Sequence, residues 1–471
     1  MTSKTCPWWT IEQARALESK IFRLHLPDFN PYIMVVDVDV ARRVLLAHPS
    51  KPALMTQFNG ATTGVQSLFT KCHDAQHAHY RKPITPAFAT LRVQTAVQGS
   101  AAALARMDEA DALLRKYAVQ GVAFDPAELM CELMVDLIGD TALGGFQFGT
   151  LQAKLAAAET EGAADYSVGG EFLAILPAVL VEFALRRPIN PIRRGWLAWL
   201  SPIARDAERK AARLMIIAQL VLDDFRVRRA AAHDDLAASA KFSASILGHL
   251  VDSPSYVNDK ERCADVLMFM IAGHDTSGFT LAFALYELAK HPEVQAALHV
   301  ELMQPLEGHS QKHDTLGEAS PLLLRVIKET MRLWPVAAQG SIRTLRTDVP
   351  IDDSNAIKLP RGATCQIPFL ALQRLAEVTA PDEFRPDRWL EPKLGDAMAA
   401  TESKRLHDAF FPFSLGRRNC IGQSLANAEI RFVLASLVRN FCFEIEKEPS
   451  LDYFLTIHPV DGLLRAVPRE R

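Results

Sequence analysis

One long apolar segment constrains the fold of this chain more than any other feature. It runs from about Asp259 to His291, and its middle, DVLMFMIAGHDTSGFTLAFALYELA, is apolar on nearly every side of a helix. Asn258 and Glu261 suit a capping-box start, and the His291-Pro292 pair predicts the end. About 32 residues at about 1.5 Å per residue give a helix of roughly 48 Å, enough to cross a domain. We therefore expect a mainly α-helical fold with this helix buried at its centre.

Polar residues interrupt this helix at Ala272-Gly273-His274-Asp275-Thr276-Ser277. A buried acid and a buried hydroxyl lower stability unless their polar atoms are bonded, so they need a reason. A mid-helix threonine taken alone is usually structural. Thr276 can also bond a carbonyl one turn back and open the helix locally. The opening would leave a groove beside Gly273 for dioxygen and water.

A cysteine loop lies near the C-terminus, in the stretch FFPFSLGRRNCIGQSLANAEIR. Its spacing is Phe413-x-x-Gly416-x-Arg418-x-Cys420-x-Gly422, and a helix-periodic segment from Ile421 to about Asn440 follows. A cysteine at a helix N-terminus is favoured as a thiolate, because the first-turn N–H groups carry partial positive charge. Glycines let a flat ligand approach the backbone, and arginine offers a planar fork to a carboxylate. A buried structural thiol is the alternative, but the four further residues favour a sulfur ligand beneath a haem.

These residues resemble the haem-ligand signature of the cytochrome P-450 superfamily, the haem-thiolate monooxygenases, with every position filled. The resemblance implies that Cys420 is the axial ligand of the iron of haem b. It implies that Phe413, Gly416, Arg418 and Gly422 surround the haem on that side. The segment Ala272–Ser277 resembles the family's oxygen-activation motif, which implies that Asp275 and Thr276 relay protons and that Ala272 and Gly273 lie over the haem.

Three further segments extend the resemblance over most of the chain, roughly residues 22–469. His77 and Arg81, followed by Pro86-Ala87-Phe88, resemble the helix whose cationic residues hold the haem propionates, although a solvated polar face is the alternative for the pair alone. Arg343 is implied as another propionate partner. Glu329-x-x-Arg332 and Phe384–Trp389 resemble the family's paired structural motifs, in which Glu329, Arg332 and Arg388 form a buried network. Trp389 departs from the usual Phe, and Gln373 departs from a common His.

Composition limits the possible partners and compartment. The chain has 471 residues, 49% of them hydrophobic, and a net charge of -3, which gives no case for nucleic acid. Seven scattered cysteines without CxxC spacing indicate a reducing compartment. Residues 1–21 show neither a signal peptide nor a membrane-spanning run. We expect one domain over residues 1–471, cytoplasmic or peripheral on a membrane facing the cytosol. The alternative is that an N-terminal anchor has been trimmed.

The remaining segments predict small peripheral sheets and a possible membrane-contacting region. Residues 22–39 read as two short strands, with Asp39 as the cap of a helix starting near Ala41. Residues 337–345 predict a strand, and the segment FLTIHPVDGLLRAVPR predicts a final hairpin around Asp461-Gly462. Residues 171–202 are apolar but broken by prolines, including Pro177. That segment suits a membrane surface, the cap of a pocket or a buried helical hairpin. The resemblance implies that the family's substrate lid lies here.

The combined prediction is a haem-thiolate monooxygenase. It would insert one oxygen atom of O2 into an apolar small molecule, by hydroxylation or epoxidation, with electrons from a separate flavoprotein reductase or ferredoxin. A haem-thiolate isomerase or dehydratase is one alternative, but the Asp275-Thr276 pair argues against it. A non-catalytic haem sensor or carrier is the other, and turnover with a reductase discriminates it.

Overall fold

The computed structural model describes residues 6–25, 31–47, 50–52, 55, 64–89, 93, 96–97, 100–159, 166–186, 199–232, 234–304, 320–352, 354 and 356–470. Helices dominate these residues, as the sequence predicts. In chain order they are α1 (Cys6–Ala16), α2 (Val38–Leu46), α3 (Asp74–Ile84), α4 (Ala101–Gln120), α5 (Pro126–Thr141), α6 (Thr150–Glu159), α7 (Val168–Leu180), α8 (Pro202–Ala231), α9 (Leu236–Ala244), α10 (Ile246–Asp252), α11 (Asp259–Lys290), α12 (Pro292–Met303), α13 (Pro321–Leu333), α14 (Phe369–Leu375), α15 (Ala397–Ala409) and α16 (Gln423–Asn440).

The strands form small sheets, as predicted. In chain order they are β1 (Ile21–Leu24), β2 (Tyr32–Val35), β3 (Ser341–Thr344), β4 (Val349–Pro350), β5 (Lys358–Leu359), β6 (Thr364–Ile367), β7 (Phe441–Lys447), β8 (Ser450–Phe454), β9 (Thr456–Val460) and β10 (Leu463–Pro468). The largest sheet has the order β1-β2-β6-β3, with β2 and β6 parallel and the other neighbours antiparallel. The pairs β4-β5, β7-β10 and β8-β9 form two-stranded sheets.

The chain divides into two compact units. One contains Met1–Pro52, Leu114–Met130 and Thr276–Arg471, and therefore every strand described above. The other contains Ala53–Leu113 and Cys131–Asp275. The prediction of a single domain stays a prediction.

The four-stranded sheet of the first unit packs on α2. Val35 of β2, Ile367 of β6 and Val44 of α2 share one apolar core with Phe411, which lies just before the cysteine loop. Burial of these side chains is the main stabilising contribution at this point of the fold. The core therefore holds the start of the loop against α2.

The central helix matches its predicted bounds. It contains 32 residues, and the side chain of Asn258 accepts the N–H of Glu261 at 3.1 Å, as expected for a cap. Within the described residues α11 is also the one helix long and apolar enough to cross a membrane, but 61% of its apolar window is buried inside the protein. Its length and apolar character are therefore those of a core helix.

Several local predictions are wrong. Asp37, not Asp39, caps α2, because its carboxylate accepts the N–H of Val40 at 3.0 Å and the helix begins at Val38. Residues 456–460 and 463–468 do not pair with each other: β9 pairs with β8, and β10 pairs with β7. The alternating pattern is correct for both strands, but it does not encode the pairing partner. α7 continues through Pro177, and residues 187–198 lie outside the described residues.

Candidate active site

Reversals of the backbone shape the cysteine loop. Ser414 and Gly416 have positive φ values of 61° and 74°, and a short 3-10 turn covers Gly416–Arg418. The N–H of Cys420 then returns to the Phe413 carbonyl at 2.9 Å, and the N–H of Asn419 bonds the Gly416 carbonyl at 3.1 Å. The loop is therefore closed on itself by main-chain hydrogen bonds, with the Cys420 side chain exposed.

Gly416 is required by two features of its position. Its φ of 74° lies in the left-handed region, and a Cβ there would lie 2.6 Å from the main-chain oxygen of Leu45 in α2. No side chain fits this approach, because the obstacle is backbone. The glycine thus fixes the loop against the core that α2 and β2 form.

The cysteine lies just outside the helix that follows it. α16 begins at Gln423 with Gly422 as its cap, two residues later than the predicted start at Ile421. A Cβ on Gly422 would lie 3.8 Å from Cys420 Sγ. The glycine therefore keeps side-chain atoms out of this space beside the sulfur. The partial positive charge of the first helical turn favours a thiolate at this position.

Two buried guanidinium groups adjoin the loop. Arg343 of β3 is 4% exposed and Arg418 is 9% exposed. Arg343 Nη2 donates to the Arg418 main-chain oxygen at 3.5 Å, and Ser341 and Ser414 hydroxyls meet at 2.9 Å, which ties β3 to the loop. An exposed thiol at a helix start, bordered by a glycine and by two buried cations, is a donor set that fits a haem with its propionates.

The polar motif of α11 lies in an unbroken α-helix. The predicted opening at Thr276 is wrong, because the helical pattern is continuous from Asp259 to Lys290. One turn later, the Thr280 hydroxyl donates to the Thr276 carbonyl at 2.7 Å. Ala272 is exposed, and Asp275 and Thr276 are half-buried. A Cβ on Gly273 would lie 2.1 Å from the Ile138 side chain, so this glycine permits close packing on α5.

His274 makes the polar contacts of the motif that the sequence reasoning did not assign. Its Nδ1 lies 2.8 Å from the Met270 carbonyl oxygen and its Nε2 lies 2.7 Å from Asp275 Oδ1. The ring packs edge-on against Phe172 of α7, with centroids 5.2 Å apart. The Asp275 carboxylate is therefore held by a neighbouring side chain.

His77 and Arg81 lie on α3, one turn apart, as the sequence predicts. His77 is buried and Arg81 is half-buried, so the pair does not form the solvated face of the alternative interpretation. The helix continues through Pro83 to Ile84, because a proline in the last turn removes only one hydrogen bond.

Glu329 is the centre of a buried ionic network. Its carboxylate is fully buried and accepts five hydrogen bonds of 2.8–3.0 Å: two from Arg332, one from Arg388, one from the Arg385 N–H and one from Trp389. The arginines hold its pKa below the ordinary value even though burial acts in the opposite direction. The predicted structural network is thus present.

Both departures from the usual motif residues have a role in this network or beside it. Trp389 Nε1 donates to Glu329 Oε2 at 2.9 Å, a bond that a phenylalanine cannot make. Gln373 Nε2 donates to the carbonyls of Met331 and Arg332 at 3.1 and 3.0 Å, near the C-terminus of α13. Each side chain therefore donates to buried oxygen atoms, which would destabilise the fold if they lacked a hydrogen bond.

Sequence reasoning missed a second buried carboxylate in α11. Asp265 accepts the Leu68 N–H and, at 2.5 Å, the Tyr256 hydroxyl. Burial raises the pKa of Asp265 from 3.8 to about 6, although both hydrogen bonds favour its charged form. An acid inside the apolar run DVLMFM was the available signal, but one of its partners, Leu68, lies 197 residues away in the sequence.

The raised pKa of Asp265 makes the stability of the folded protein depend on pH. Between about pH 4 and pH 6 the folded protein holds a proton on Asp265 that the unfolded chain releases. This contribution to stability is fully present below about pH 4 and is lost as the pH rises through about 6.

The structure brings the predicted site residues together in groups. One group is the cysteine loop with Arg343 beside it, and it contains Phe413, Gly416, Arg418, Cys420 and Gly422. Ala272, Gly273, Asp275 and Thr276 share one turn and a half of α11, and His77 and Arg81 share a face of α3.

The cysteine loop, the polar motif of the central helix and the buried Glu329 network are each features expected of a haem-thiolate protein. The family model described as cytochrome P-450 matches residues 7–461. The chain belongs to the cytochrome P-450 family. It is accordingly a haem-thiolate monooxygenase, an oxidoreductase whose cofactor is haem b.

Characterised relatives are similar over different shares of the chain. The cytochrome P-450 monooxygenase acrF of Aspergillus aculeatus is 29% identical over 419 residues, which cover 84% of this chain and 78% of that protein. The mitochondrial 25-hydroxyvitamin D-1 alpha hydroxylase of Homo sapiens is 35% identical over 189 residues, which cover 39% of this chain and 34% of the hydroxylase. The chain thus aligns with about a third of that human relative.

Solved structures confirm the fold. The crystal structure of the cytochrome P-450DA haem domain has a TM-score of 0.76 at 21% identity, covering 99% of this chain and 94% of that one. The cytochrome P-450 named CYP102L1 has a TM-score of 0.77 at 20% identity and covers 98% of both chains. The predicted mainly α-helical cytochrome P-450 fold is therefore confirmed.

Proposed function

We propose that Cys420 is the thiolate ligand of the haem iron. The observation that carries the proposal is the closed loop, in which the Cys420 N–H bonds the Phe413 carbonyl at 2.9 Å while the thiol is exposed. The helix start beside it favours the anionic sulfur. Gly422 leaves room for a flat group near the sulfur, Phe413 is tied to Cys420 through the main chain, and Gly416 holds the loop against Leu45.

The propionates of the haem would be held by cationic side chains. Arg343 and Arg418 are buried beside the loop, and a buried guanidinium is stable when a carboxylate faces it. Arginine presents a planar fork that matches a propionate. His77 and Arg81 of α3 are proposed for the same role, since one turn of helix places both on one face.

Asp275 and Thr276 are proposed as the proton relay. When bound, the haem supplies the iron centre at which dioxygen is activated. The Asp275 carboxylate is half-buried and so reaches both solvent and the helix interior, and the Thr276 hydroxyl comes next along the chain. General acid catalysis needs a group that exchanges protons with solvent, here Asp275, and a group that donates them inward, here Thr276. Ala272, which is exposed and has only a methyl side chain, would leave space on its side of the helix, and Gly273 lets the helix pack on Ile138.

The substrate is proposed to be an apolar small molecule, with O2 as the second substrate. α7 supports this, because its almost wholly apolar sequence VGGEFLAILPAVL lies beside the polar motif, with the Phe172 and His274 ring centroids 5.2 Å apart. The electron donor is proposed to be a separate flavoprotein reductase or ferredoxin. Peripheral membrane contact is supported by Trp199, Leu200 and Ile203, which are exposed next to one another before and within the first turn of α8.

The test of this function compares two threonine variants of the haem-loaded protein. A panel of fatty acids, sterols and alkylbenzenes is first screened for a shift of the haem absorption band, and the compound that shifts it is used with NADPH and a surrogate reductase under 18O2. The wild type should place one 18O atom in the product. Thr276→Ala should bind haem normally but release most electrons as hydrogen peroxide.

Thr280→Ala is the matched control. It removes the same atoms from the same helix, but its hydroxyl bonds the Thr276 carbonyl and takes no part in the proposed relay. We expect the fraction of electrons that reaches product, rather than hydrogen peroxide, to be near that of the wild type. Equal coupling in Thr276→Ala and Thr280→Ala would refute the relay, and an 18O-free product would refute monooxygenation of that compound.

A further inference from the structure

The histidine in the polar motif of α11 is more than a packed ring. His274 is 1% exposed, yet both of its ring nitrogens have polar partners. Consecutive helix residues point about 100° apart, so a contact between neighbours at positions 274 and 275 is unusual. Here the ring is turned along the helix, anchored by the Met270 carbonyl and by the edge-on contact with Phe172.

The contacts fix the number of protons on the ring. The Met270 oxygen accepts only, so Nδ1, at 2.8 Å from it, carries a proton. Nε2 and Asp275 Oδ1 are 2.7 Å apart, and two acceptors at that distance repel unless a proton lies between them. The pair therefore holds one proton between these atoms. With Nδ1 also protonated, a proton on Nε2 makes the ring an imidazolium that donates to Asp275 Oδ1.

The surroundings agree with this assignment. Burial acts to lower the pKa of His274, but the charge and hydrogen bond of Asp275 and the Met270 carbonyl outweigh it, so the pKa is raised above the ordinary value. The neighbouring acid on α7, Glu171, is engaged by Arg213 at 2.6 and 2.8 Å and by the Tyr166 hydroxyl at 3.0 Å. Phe172 places an aromatic edge against the ring.

We propose that His274 is a positioning residue of the proton relay, an imidazolium that holds Asp275 through Oδ1 and leaves Oδ2 to exchange protons. This inference rests on the relay proposed above. Without the histidine the carboxylate would sample several rotamers, and fewer of them would suit transfer toward Thr276.

The first test measures protonation directly and needs no turnover. Histidine labelled with 15N is incorporated, and spectra of the reduced carbon-monoxide complex, which is diamagnetic, are recorded at pH 7. His274→Phe identifies the His274 signals among those of the 14 histidines. We expect both His274 nitrogens to be protonated in the wild type, and Asp275→Asn to convert the ring to the neutral form with its proton on Nδ1. A neutral His274 in the wild type would overturn the proposal.

The second test measures how electrons are partitioned between product and peroxide. His274→Phe preserves an aromatic ring against Phe172 and should raise the peroxide-to-product ratio by about tenfold, equivalent to about 1.4 kcal/mol. His274→Gln retains one N–H donor and should fall between His274→Phe and the wild type. His291→Phe is the matched control, because His291 Nδ1 likewise bonds a carbonyl one turn back, that of Glu287, at 2.8 Å. It should behave like the wild type.

The outcomes separate the two proposals. If Asp275→Asn and Thr276→Ala raise the peroxide ratio but His274→Phe matches His291→Phe, the positioning role is wrong and the relay stands. If none of these variants changes the ratio, the relay itself is wrong. If His274→Phe fails to retain haem, the positioning role is tested by the peroxide-to-product ratio of His274→Gln and by the 15N spectra.

Discussion

The Trp389 indole should stabilise the protein through the Glu329 network, and Trp389→Phe measures that contribution. The variant removes the Nε1–H that donates to Glu329 Oε2 at 2.9 Å. A hydrogen bond to a charged group contributes about 1.5–3 kcal/mol. Oε2 retains the Arg332 Nε bond at 2.9 Å, so the carboxylate is not stranded and the loss falls at the lower end.

The smaller ring adds a packing loss. Trp389 is buried and meets Phe410 edge-on, with centroids 4.8 Å apart, so a phenylalanine leaves a small cavity that costs about 1 kcal/mol. The total expected loss is about 2–3 kcal/mol, a large part of the roughly 5–15 kcal/mol that stabilises a typical protein. The unit that holds the cysteine loop should therefore unfold at a lower urea concentration.

Urea unfolding followed by far-UV circular dichroism measures this change. Trp199→Phe is the control, since Trp199 is 56% exposed and its replacement should change the free energy of unfolding by less than about 0.5 kcal/mol. A Trp389→Phe effect as small as that of the control would refute the reasoning. Combining Trp389→Phe with Glu329→Gln isolates the pairwise energy, which should be non-zero.

Two other substitutions test the loop and the second carboxylate. Gly416→Ala should abolish haem retention, because the new Cβ would meet the Leu45 carbonyl at 2.6 Å. The control is Gly362→Ala, because Gly362 has a similar φ and a Cβ there would meet nothing within 4 Å. A stable, haem-loaded Gly416→Ala variant would contradict this prediction. Asp265→Asn removes a group whose pKa is about 6, so the stability of the variant relative to wild type should rise by about 3 kcal/mol between pH 4 and pH 7, as urea unfolding at several pH values measures. A difference that does not vary with pH would contradict that assignment.

The parts of the structure that local sequence determines were predictable. The bounds of α11 follow from its apolar length, its Asn258 cap and the His291-Pro292 end. The cysteine loop follows from residues at fixed, short spacings. Such features depend on neighbours along the chain, and these are visible in the sequence.

Features that depend on tertiary packing were not predictable. The pairing of β9 with β8 and of β10 with β7 depends on which strands meet in space, and alternation alone does not show this. The Asp265 cluster joins α11 to Leu68 and Tyr256, which no local pattern connects. The contact of His274 with Asp275 depends on a ring orientation that the Met270 carbonyl and Phe172 impose.

The central claim is that Cys420 binds the haem iron as a thiolate, and the absorption spectrum of the reduced, carbon-monoxide-bound protein tests it most directly. Electron donation from a thiolate shifts the Soret band strongly to the red. Wild-type protein should show that band, Cys420→Ser should lose it, and Cys442→Ser, at a half-buried cysteine in β7, should keep it. A band typical of imidazole or thiol ligation in fresh wild-type protein, or a red-shifted band that survives in Cys420→Ser, would contradict the account.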